Sequence, residues 1–404
     1  MMNHVHPLKA DVRPMAWTLF VLNPGSTSTK TALYRDQACI FQETIRHDDD
    51  ELQQAANLID QLPMRLASIE ASLAASLEQN NLAVQDIDAF VGRGGLVKPV
   101  ASGTYRITQD MLDDLKASRY GVHACNLGGI IADHLSKVYG KPAFIVDPPT
   151  VDELDILARY SGLPEIPRTS IFHALNQKIA ARKAAAELNL GYLECSFIVA
   201  HLGGGISIGA HHKGRVIDMT NALDEGPFTP ERAGCLPTLP LLRLMSRTGY
   251  NLQQMRRKLV GQGGLYAYTG TVDCRKVEDA AETNPAWREV LHAMAYQIAK
   301  SIASLSASLD GKVDAIVLTG GLARSSLLTK AIIKHVRFLG PILVYPGEFE
   351  MEALAQGGIR VLSGEENALD YCREHFEQFE FDMETRADQV RLFDVETRED
   401  GCRC

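Results

Sequence analysis

The chain has 404 residues, of which 46% are hydrophobic and 23% charged, enough for two or three domains that each bury a core. Acidic residues outnumber basic ones 50 to 41, and the net charge of -9 argues against a uniformly basic nucleic-acid-binding protein. No apolar run approaches the roughly 18 residues that span a bilayer. The eight cysteines have no CxxC spacing. We therefore expect a soluble, cytoplasmic protein that binds neither membranes nor nucleic acid.

The first half of the chain predicts strands and helices after a disordered N-terminal arm at residues 1–15. An apolar, strand-forming run at 17–22 stops at Asn23-Pro24-Gly25-Ser26, and residues 30–34 provide a return strand, so we expect a hairpin. The elements predicted next are a helical stretch over 51–80 that Pro63 divides, a strand over 87–91, a helix from about Asp110 and a strand over 143–146. The double proline at 148–149 indicates a domain boundary.

The second half of the chain repeats this opening. A strand over 195–201 leads into Gly203-Gly204-Gly205, a return strand covers 206–210, and Lys213-Gly214 provides another turn. Gly25 and Gly203 are 178 residues apart, close to half of the ordered chain. Repetition at this distance indicates duplicated domains.

Two further elements complete an α/β pattern. Residues 286–309 form a long helix that is apolar on most faces, so we expect it to be buried between layers. Residues 315–318 form a strand that enters Thr319-Gly320-Gly321. Strands and helices that alternate in this order favour an α/β fold whose sheets are covered on both faces.

Glycine-rich turns follow three of the predicted strands, at 23–30, 203–205 and 320–321. Such a turn lets backbone N–H groups converge on phosphate oxygens, although any single one can equally be a tight turn without a ligand. The first turn also supplies hydroxyl groups and Lys30, which suit a polyphosphate. It lacks the P-loop spacing, and the second turn lacks the third glycine of a dinucleotide-binding fingerprint.

Three segments resemble the phosphate and adenosine motifs of the acetokinase family, which belongs with sugar kinases, actin and the Hsp70 ATPase. They are VLNPGSTSTKTALY (21–34), AHLGGGISIGAH (200–211) and VLTGGLARSS (317–326). Within the family the butyrate kinases are the closer match, through the segments at 91–100, 145–154, 161–178, 221–238 and 345–362. The resemblance covers residues 17–371. It implies a duplicated, two-domain actin-like ATPase fold of the ribonuclease H type, with the active site in the interdomain cleft.

The resemblance assigns ATP or ADP, as cosubstrate, to the glycine-rich turns. Ser26, Ser28 and Lys30 would contact nucleotide or the transferring phosphate, and Asn23 would orient them; the alternative is a solvated hairpin turn. The residues that the second and third turns would contribute are His201, Gly203, Gly204, Gly205, Gly320 and Gly321.

Two arginines and a histidine are expected to be catalytic. Arg93 ends an apolar strand, a poor place for an idle charge, and the resemblance assigns it to the substrate carboxylate or acyl phosphate. Arg232 matches the family's second active-site arginine, with a salt bridge to Glu231 or Asp224 as the alternative. His173 matches the histidine that hydrogen-bonds the transferring phosphoryl group.

Mg²⁺ is the metal that the resemblance implies. Asp147 ends a strand before the double proline, and its family analogue faces the phosphoryl site, so it is expected both to be catalytic and to help place the metal. Glu352 is the expected metal-associated glutamate, and Glu350, two residues away, stays open as the alternative. Magnesium keeps most of its waters and takes one or two carboxylates with phosphate oxygens, which suits so small a ligand set.

The reaction implied is direct in-line transfer of the γ-phosphoryl group of ATP to butanoate, giving butanoyl phosphate, and the reverse. The acid is already ionised at pH 7, so alignment and charge stabilisation suffice, although a phosphoenzyme on a glutamate stays an alternative. If Ala124 replaces the aliphatic side chain that crowds the acetate members' acyl site, four carbons fit, with overlap to propionate and isobutyrate. A rival class is a nucleotide-dependent binding switch like actin or Hsp70, against which both arginines and His173 argue.

The expected organisation is a domain I of residues 16–147 plus about 355–372, and a nucleotide-binding domain II of residues 148–354. Hinges near Asp147-Pro148 and Leu354 would let the domains close over the nucleotide. Residues 364–404 hold 13 acidic and 5 basic side chains, so most of the net charge lies towards the end of the chain, in a region that includes the predicted acidic tail at 373–404. The resemblance also implies at least a homodimer.

Overall fold

The computed structural model of the protein describes residues 16–371. The predicted N-terminal arm (1–15) and acidic tail (373–404) lie outside the described residues. The described chain forms two β-sheets, each with helices packed on both faces. Within it, no helix combines the length and the apolar character that crossing a membrane requires.

The strands of the described residues are β1 (Thr18–Pro24), β2 (Ser28–Arg35), β3 (Ala38–Arg46), β4 (Ala89–Arg93), β5 (Thr104–Arg106), β6 (Ala143–Val146), β7 (Ser196–Leu202), β8 (Ile206–His212), β9 (Arg215–Met219), β10 (Ala315–Gly320), β11 (Ile342–Pro346) and β12 (Leu369–Asp370). The first sheet has the order β12-β5-β6-β4-β1-β2-β3, and the second has the order β11-β10-β7-β8-β9. In each, three successive antiparallel strands are continued by two parallel ones, β4 and β6 or β10 and β11. This repeated order confirms the predicted duplication.

The helices of the described residues are α1 (Asp49–Gln54), α2 (Leu62–Gln79), α3 (Gln109–Lys116), α4 (Asn126–Tyr139), α5 (Ala174–Glu187), α6 (Thr238–Thr248), α7 (Leu252–Leu259), α8 (Gly264–Thr269), α9 (Cys274–Ala280), α10 (Pro285–Leu305), α11 (Ser326–Val336) and α12 (Glu350–Leu362). Pro63 lies in the first turn of α2, where its missing N–H group costs no hydrogen bond. It therefore divides the helical stretch predicted over 51–80 at the start of α2.

Alternate side chains of the central strands enter different apolar clusters, as the two-residue period of a strand requires. In β1, Phe20 and Leu22 belong to the cluster under α2 and α4, whereas Leu19 and Val21 belong to the cluster under α12. The second sheet repeats the arrangement. Its strand β7 points Phe197 and Val199 towards α5, and the intervening residues belong to the cluster that includes α10 and α11. Continuous apolar strands thus result from burial on both faces.

Helices α5 and α12 lie between the two sheets and pack against each other. Leu175 and Ile179 of α5 join the cluster of the first sheet, while Ala180 and Ala184 join that of the second. The start of α5 and the start of α12 therefore lie where the two sheets meet, and this is where the candidate site forms.

One helix differs from its predicted environment. We expected residues 286–309 to form a helix buried between layers, but α10 ends at Leu305 and buries one face only. Its buried residues recur every three or four positions, for example Leu291, Met294 and Ile298, while Tyr296 between them is 52% exposed. The prediction was wrong because alanine and aromatic residues on the solvent face raise the apolar count without being buried.

The second predicted hinge position falls within a helix. We expected a hinge near Leu354, but this residue is fully buried in the middle of the continuous helix α12, which packs on the first sheet. A helix interior held by regular hydrogen bonds is a poor hinge. The segment between β11 and α12, at residues 347–349, is the nearest stretch outside the named strands and helices.

Candidate active site

A cavity of about 210 Å³ lies between the two sheets. It sits beyond the carboxyl ends of β4 and β6, where ligands of open α/β sheets characteristically bind. Four predicted catalytic residues line it together, although they are far apart in the sequence: Arg93, Asp147, His173 and Arg232. Glu350, the first residue of α12, lines it as well.

Arg93 belongs to a closed ring of polar contacts with Asn23 and Glu350. Its Nη1 lies 3.0 Å from Glu350 Oε1 and donates to Asn23 Oδ1 at 3.2 Å. Asn23 Nδ2 completes the ring by donating to Glu350 Oε2 at 2.6 Å. The guanidinium is thereby oriented, while most of its five donor groups stay available for an anion.

Arg232 approaches the cavity from the second sheet. Its Nη1 donates to the carbonyl oxygen of Ala222 at 2.7 Å, and no ion pair joins it to Glu231 or Asp224 within residues 16–371. Its Nε is buried without a hydrogen-bond partner in this part of the chain. A buried guanidinium N–H left without an acceptor is costly unless a ligand supplies one.

The two motif histidines, His173 and His201, stack on each other. Their ring centroids are 3.9 Å apart and the ring planes differ by 15°. Burial, more than any neighbouring charge, lowers the pKa of His201 to about 4 and that of His173 well below its usual value. The nearby Arg93 lowers both further, so both rings are neutral at pH 7.

The Gly203–Gly205 turn leaves space for neighbouring side chains, because glycine has no Cβ atom. A Cβ atom on Gly205 would lie 2.8 Å from Arg232 Nη1 and 3.3 Å from His173 Cε1, so a larger residue would push the Arg232 guanidinium away from its place beside His173. Gly320 has a left-handed φ of 92°, and a Cβ there would overlap the backbone of Leu202. Glycine at 205 thus leaves room for two side chains of the catalytic cavity, and glycine at 320 lets the end of β10 lie against β7.

A second cavity, of about 550 Å³, adjoins the end of β10. Gly321 lines it, and a Cβ atom there would meet nothing within 4 Å. The other side is formed by residues 272–275 and Glu278 around the start of α9, which sequence reasoning missed. These residues contain no glycine-rich turn and no recognisable motif, so nothing in the sequence indicated that folding brings them to the second cavity.

The first glycine turn is divided between two environments. Asn23 contacts the main site, but Lys30, its register partner in the hairpin, extends to Glu348 at 3.3 Å. Ser28 lines a separate cavity beside β3, and the carbonyl oxygen of Ser26 accepts from the buried Arg65. Among the described residues, Asn23 is the one of these four that hydrogen-bonds to residues of the catalytic cavity, Arg93 and Glu350.

The acidic residues separate in the same way. Asp147 has a left-handed φ of 39° and accepts from Ser102 Oγ at 2.6 Å and Gly103 N at 2.8 Å, a strained conformation typical of functional sites. Glu352 instead pairs with Lys183 at 2.8 Å and accepts from Gln356. About half a helical turn separates the two environments. Glu350 lines the catalytic cavity, whereas Glu352, the expected metal-associated glutamate, is not among the residues that line it.

Apolar groups form one wall of the catalytic cavity. Ala124, the residue considered for setting acyl length, is buried and is not among the residues that line the cavity, whereas its neighbours His123 and Cys125 are. Burial raises the pKa of the Cys125 thiol to about 11, so the thiol stays protonated and acts as an apolar surface. The wall is completed by Leu96, Pro149, Phe172, Ala222 and Leu223.

Solved structures with the same fold are acetate and propionate kinases. Acetate kinase from Porphyromonas gingivalis superposes with a TM-score of 0.71, covering 86% of this chain and 100% of that one at 19% identity. A propionate kinase from Francisella tularensis superposes with a TM-score of 0.65 over 84% and 98% of the chains at 22% identity. The fold is thus the two-domain, actin-like ATPase fold of this kinase class.

Sequence comparison identifies the family. The acetokinase family matches residues 166–368. Butyrate kinase 2 of Clostridium acetobutylicum is 48% identical over 88% of this chain and all of its own length. A probable butyrate kinase of Enterococcus faecalis is 46% identical over 89% of this chain and 99% of its own. The chain belongs to the acetokinase family.

Proposed function

We propose that the protein is an ATP-dependent carboxylate kinase that phosphorylates butanoate to butanoyl phosphate and catalyses the reverse reaction. The proposal rests on one observation: two arginines, a neutral histidine and a set of apolar side chains line the same cavity. Relatives named butyrate kinases, 44–48% identical over most of the chain, support the acid. We also propose that the protein forms a homodimer or a larger homo-oligomer. A measurement of its molar mass in solution tests this.

The residues of the cavity would have separate roles in an in-line transfer of the phosphoryl group. Arg93 and Arg232 would hold the carboxylate and the equatorial phosphoryl oxygens, whose negative charge spreads in the transition state. His173 would donate an N–H to the same oxygens. The carboxylate nucleophile is already ionised, so no side chain has to remove a proton, and the apolar wall excludes water that would hydrolyse the acyl phosphate.

The nucleotide would extend from this cavity to the second one. Gly321 leaves open space beside the second cavity, and Gly203–Gly205 lies against His201, between the ends of β7 and β8. Adenosine in the second cavity and phosphates along the glycine turn would bring the γ-phosphate to His173 and Arg232. Asp147, Glu350 and the phosphates fit Mg²⁺, which takes few carboxylates and neutralises phosphate charge when bound.

Glu350→Gln is expected to lower kcat/KM about 10–100-fold and to raise the Mg²⁺ concentration for half-maximal rate, because a carboxylate beside the phosphoryl site is lost. Glu352→Gln is the matched control from the same helix, since it breaks only a partly exposed pair with Lys183. Mg²⁺ titrations of initial rates compare the two. A larger effect at Glu352 would return the metal role to that residue.

Butanoate or isobutanoate is expected to be used better than acetate, by about 10-fold or more in kcat/KM, because each methylene in an apolar slot contributes about 1–3 kcal/mol. Hydroxamate trapping of the acyl phosphate across C2 to C5 acids measures this. Reactions without acid give the background ADP. A preference for acetate or propionate would contradict the butanoate assignment, and ATP binding without acid-stimulated ADP formation would favour a nucleotide-dependent switch.

A further inference from the structure

His173 is the first member of a hydrogen-bonded chain that runs into the core of the second sheet. Its Nδ1 lies 2.8 Å from Ser207 Oγ, and Ser207 contacts the amide of Gln177. The other end of that amide lies 3.1 Å from His211 Nε2. Ser207 and Gln177 are fully buried and His211 is 1% exposed, so solvent does not compete for these contacts.

The direction of every hydrogen bond in this chain follows from one backbone group. The carbonyl oxygen of Ser207 can only accept, and it lies 3.0 Å from one end of the Gln177 amide. That end is therefore the nitrogen Nε2. The same Nε2 lies 2.8 Å from Ser207 Oγ and donates to it. The amide oxygen is left to accept from His211 Nε2, which locks its orientation.

Ser207 Oγ can therefore act only as a hydrogen-bond donor towards His173 Nδ1. It accepts from Gln177 Nε2 and from the backbone N–H of His173 at 3.3 Å, which occupies both of its lone pairs. Its single proton is directed at His173 Nδ1. A protonated Nδ1 would place a third donor on this oxygen and leave the hydroxyl proton without an acceptor, so Nδ1 is the acceptor.

We propose that Ser207 and Gln177 are positioning residues that fix His173 as the neutral tautomer with its proton on Nε2. The Nε2–H group is on the part of the ring remote from Ser207, and His173 lines the catalytic cavity. Building on the proposed function, this tautomer presents a hydrogen-bond donor to the phosphoryl oxygens. The opposite tautomer would present a lone pair to the same anionic oxygens and repel them.

The stacked His201 is fixed by the same logic from another backbone group. The N–H of Phe349 donates to Asn176 Oδ1 at 2.8 Å, so the amide nitrogen of Asn176 faces His201 Nδ1 at 2.7 Å and donates to it. His201 therefore also carries its proton on Nε2. Two neutral donors next to Arg93 and Arg232 add hydrogen bonds without adding further positive charge to a crowded site.

The direct test is the nitrogen-15 NMR spectrum of histidine-labelled wild-type protein, with the His173 signals assigned by their loss in His173→Asn. We expect a protonated Nε2 and an unprotonated Nδ1 at pH 7. A protonated Nδ1 on His173 in the wild type would overturn the proposal without reference to activity. Absence of carboxylate kinase activity with the expected spectrum would instead contradict the proposed function alone.

Gln177→Met keeps the size of the side chain but removes the amide N–H that donates to Ser207 Oγ. The hydroxyl oxygen can then accept from His173 Nδ1, so we expect a mixture of His173 tautomers and a kcat about 10-fold lower, with the KM for the acid changed less than 3-fold. Gln297→Met is the control, since the Gln297 amide oxygen accepts from the Phe228 N–H and not from a residue of this chain of hydrogen bonds. An unchanged tautomer and kcat in folded Gln177→Met would overturn the proposal.

Ser207→Ala and Ser207→Thr provide a second pair of variants. The alanine removes the hydroxyl that donates to Nδ1, so we expect a mixture of His173 tautomers and a lower kcat. The threonine keeps the hydroxyl and should restore both the tautomer and most of the rate. Equal kcat values and tautomers in wild type and Ser207→Ala would show that Ser207 has no positioning role.

Discussion

Arg232→Ala is expected to lower kcat for acyl phosphate formation at least ~100-fold while the protein stays folded. Arg232 makes no ion pair among the described residues, and its buried Nε has no acceptor there, so truncation breaks few contacts within the protein. What it removes is a donor for the phosphoryl group. Initial rates and circular dichroism of the purified variant measure the two effects separately.

Arg93→Ala should reduce kcat on the same scale, with an additional effect, because it also leaves Glu350 without its ion pair. Arg215→Ala is the control for both variants, since Arg215 forms an exposed pair with Asp155 and should change kcat less than 2-fold. A rate near that of the wild type in either active-site variant would remove that arginine from the site.

Gly205→Ala is expected to lower kcat about 100-fold, because its Cβ atom would displace Arg232 and His173 together. The backbone of Gly205 is not left-handed, so the effect would come from the two neighbouring side chains and not from strain in the turn. Steady-state kinetics with ATP and butanoate, together with the melting temperature, distinguish displaced catalytic groups from a general loss of stability.

Gly204→Ala is the matched control from the same turn. A Cβ atom there would meet only Glu231 Oε1, at 3.9 Å, which is an ordinary contact. We expect the Gly204 variant to keep a kcat well above that of the Gly205 variant. Equal losses in the two would mean that the turn is sensitive to any side chain, through the phosphates and not through Arg232 and His173.

Local patterns predicted the parts of the fold that depend on local physics. The apolar runs that became β1 and β7 and the glycine turns after them were visible, because burial on both faces demands uninterrupted apolar residues. Their similarity half a chain apart predicted two related sheets, and the equivalent strand orders confirm it. The resemblance also selected four residues, from Arg93 to Arg232, that line one cavity.

The features that sequence reasoning missed depend on the phase of a helix or on contacts between distant segments. Glu350 and Glu352 are equivalent in the sequence, and only the packing of α12 on the first sheet determines which one meets Arg93. The same holds for Ala124 and Cys125, adjacent residues that lie just before α4. Ser207 and Gln177 lie in segments that carry the resemblance, but nothing in those segments marked them, because their role exists only through hydrogen-bond partners brought together by folding.

Helix α5 has a consequence for how the whole protein unfolds. Its Leu175 and Ile179 complete the apolar cluster of the first sheet, and its alanines complete that of the second, so neither sheet keeps a full core if the helix is lost. The two halves of the duplicated fold are therefore coupled in a single cooperative unit. His173, which directly precedes this helix, therefore keeps its position only while the whole molecule is folded.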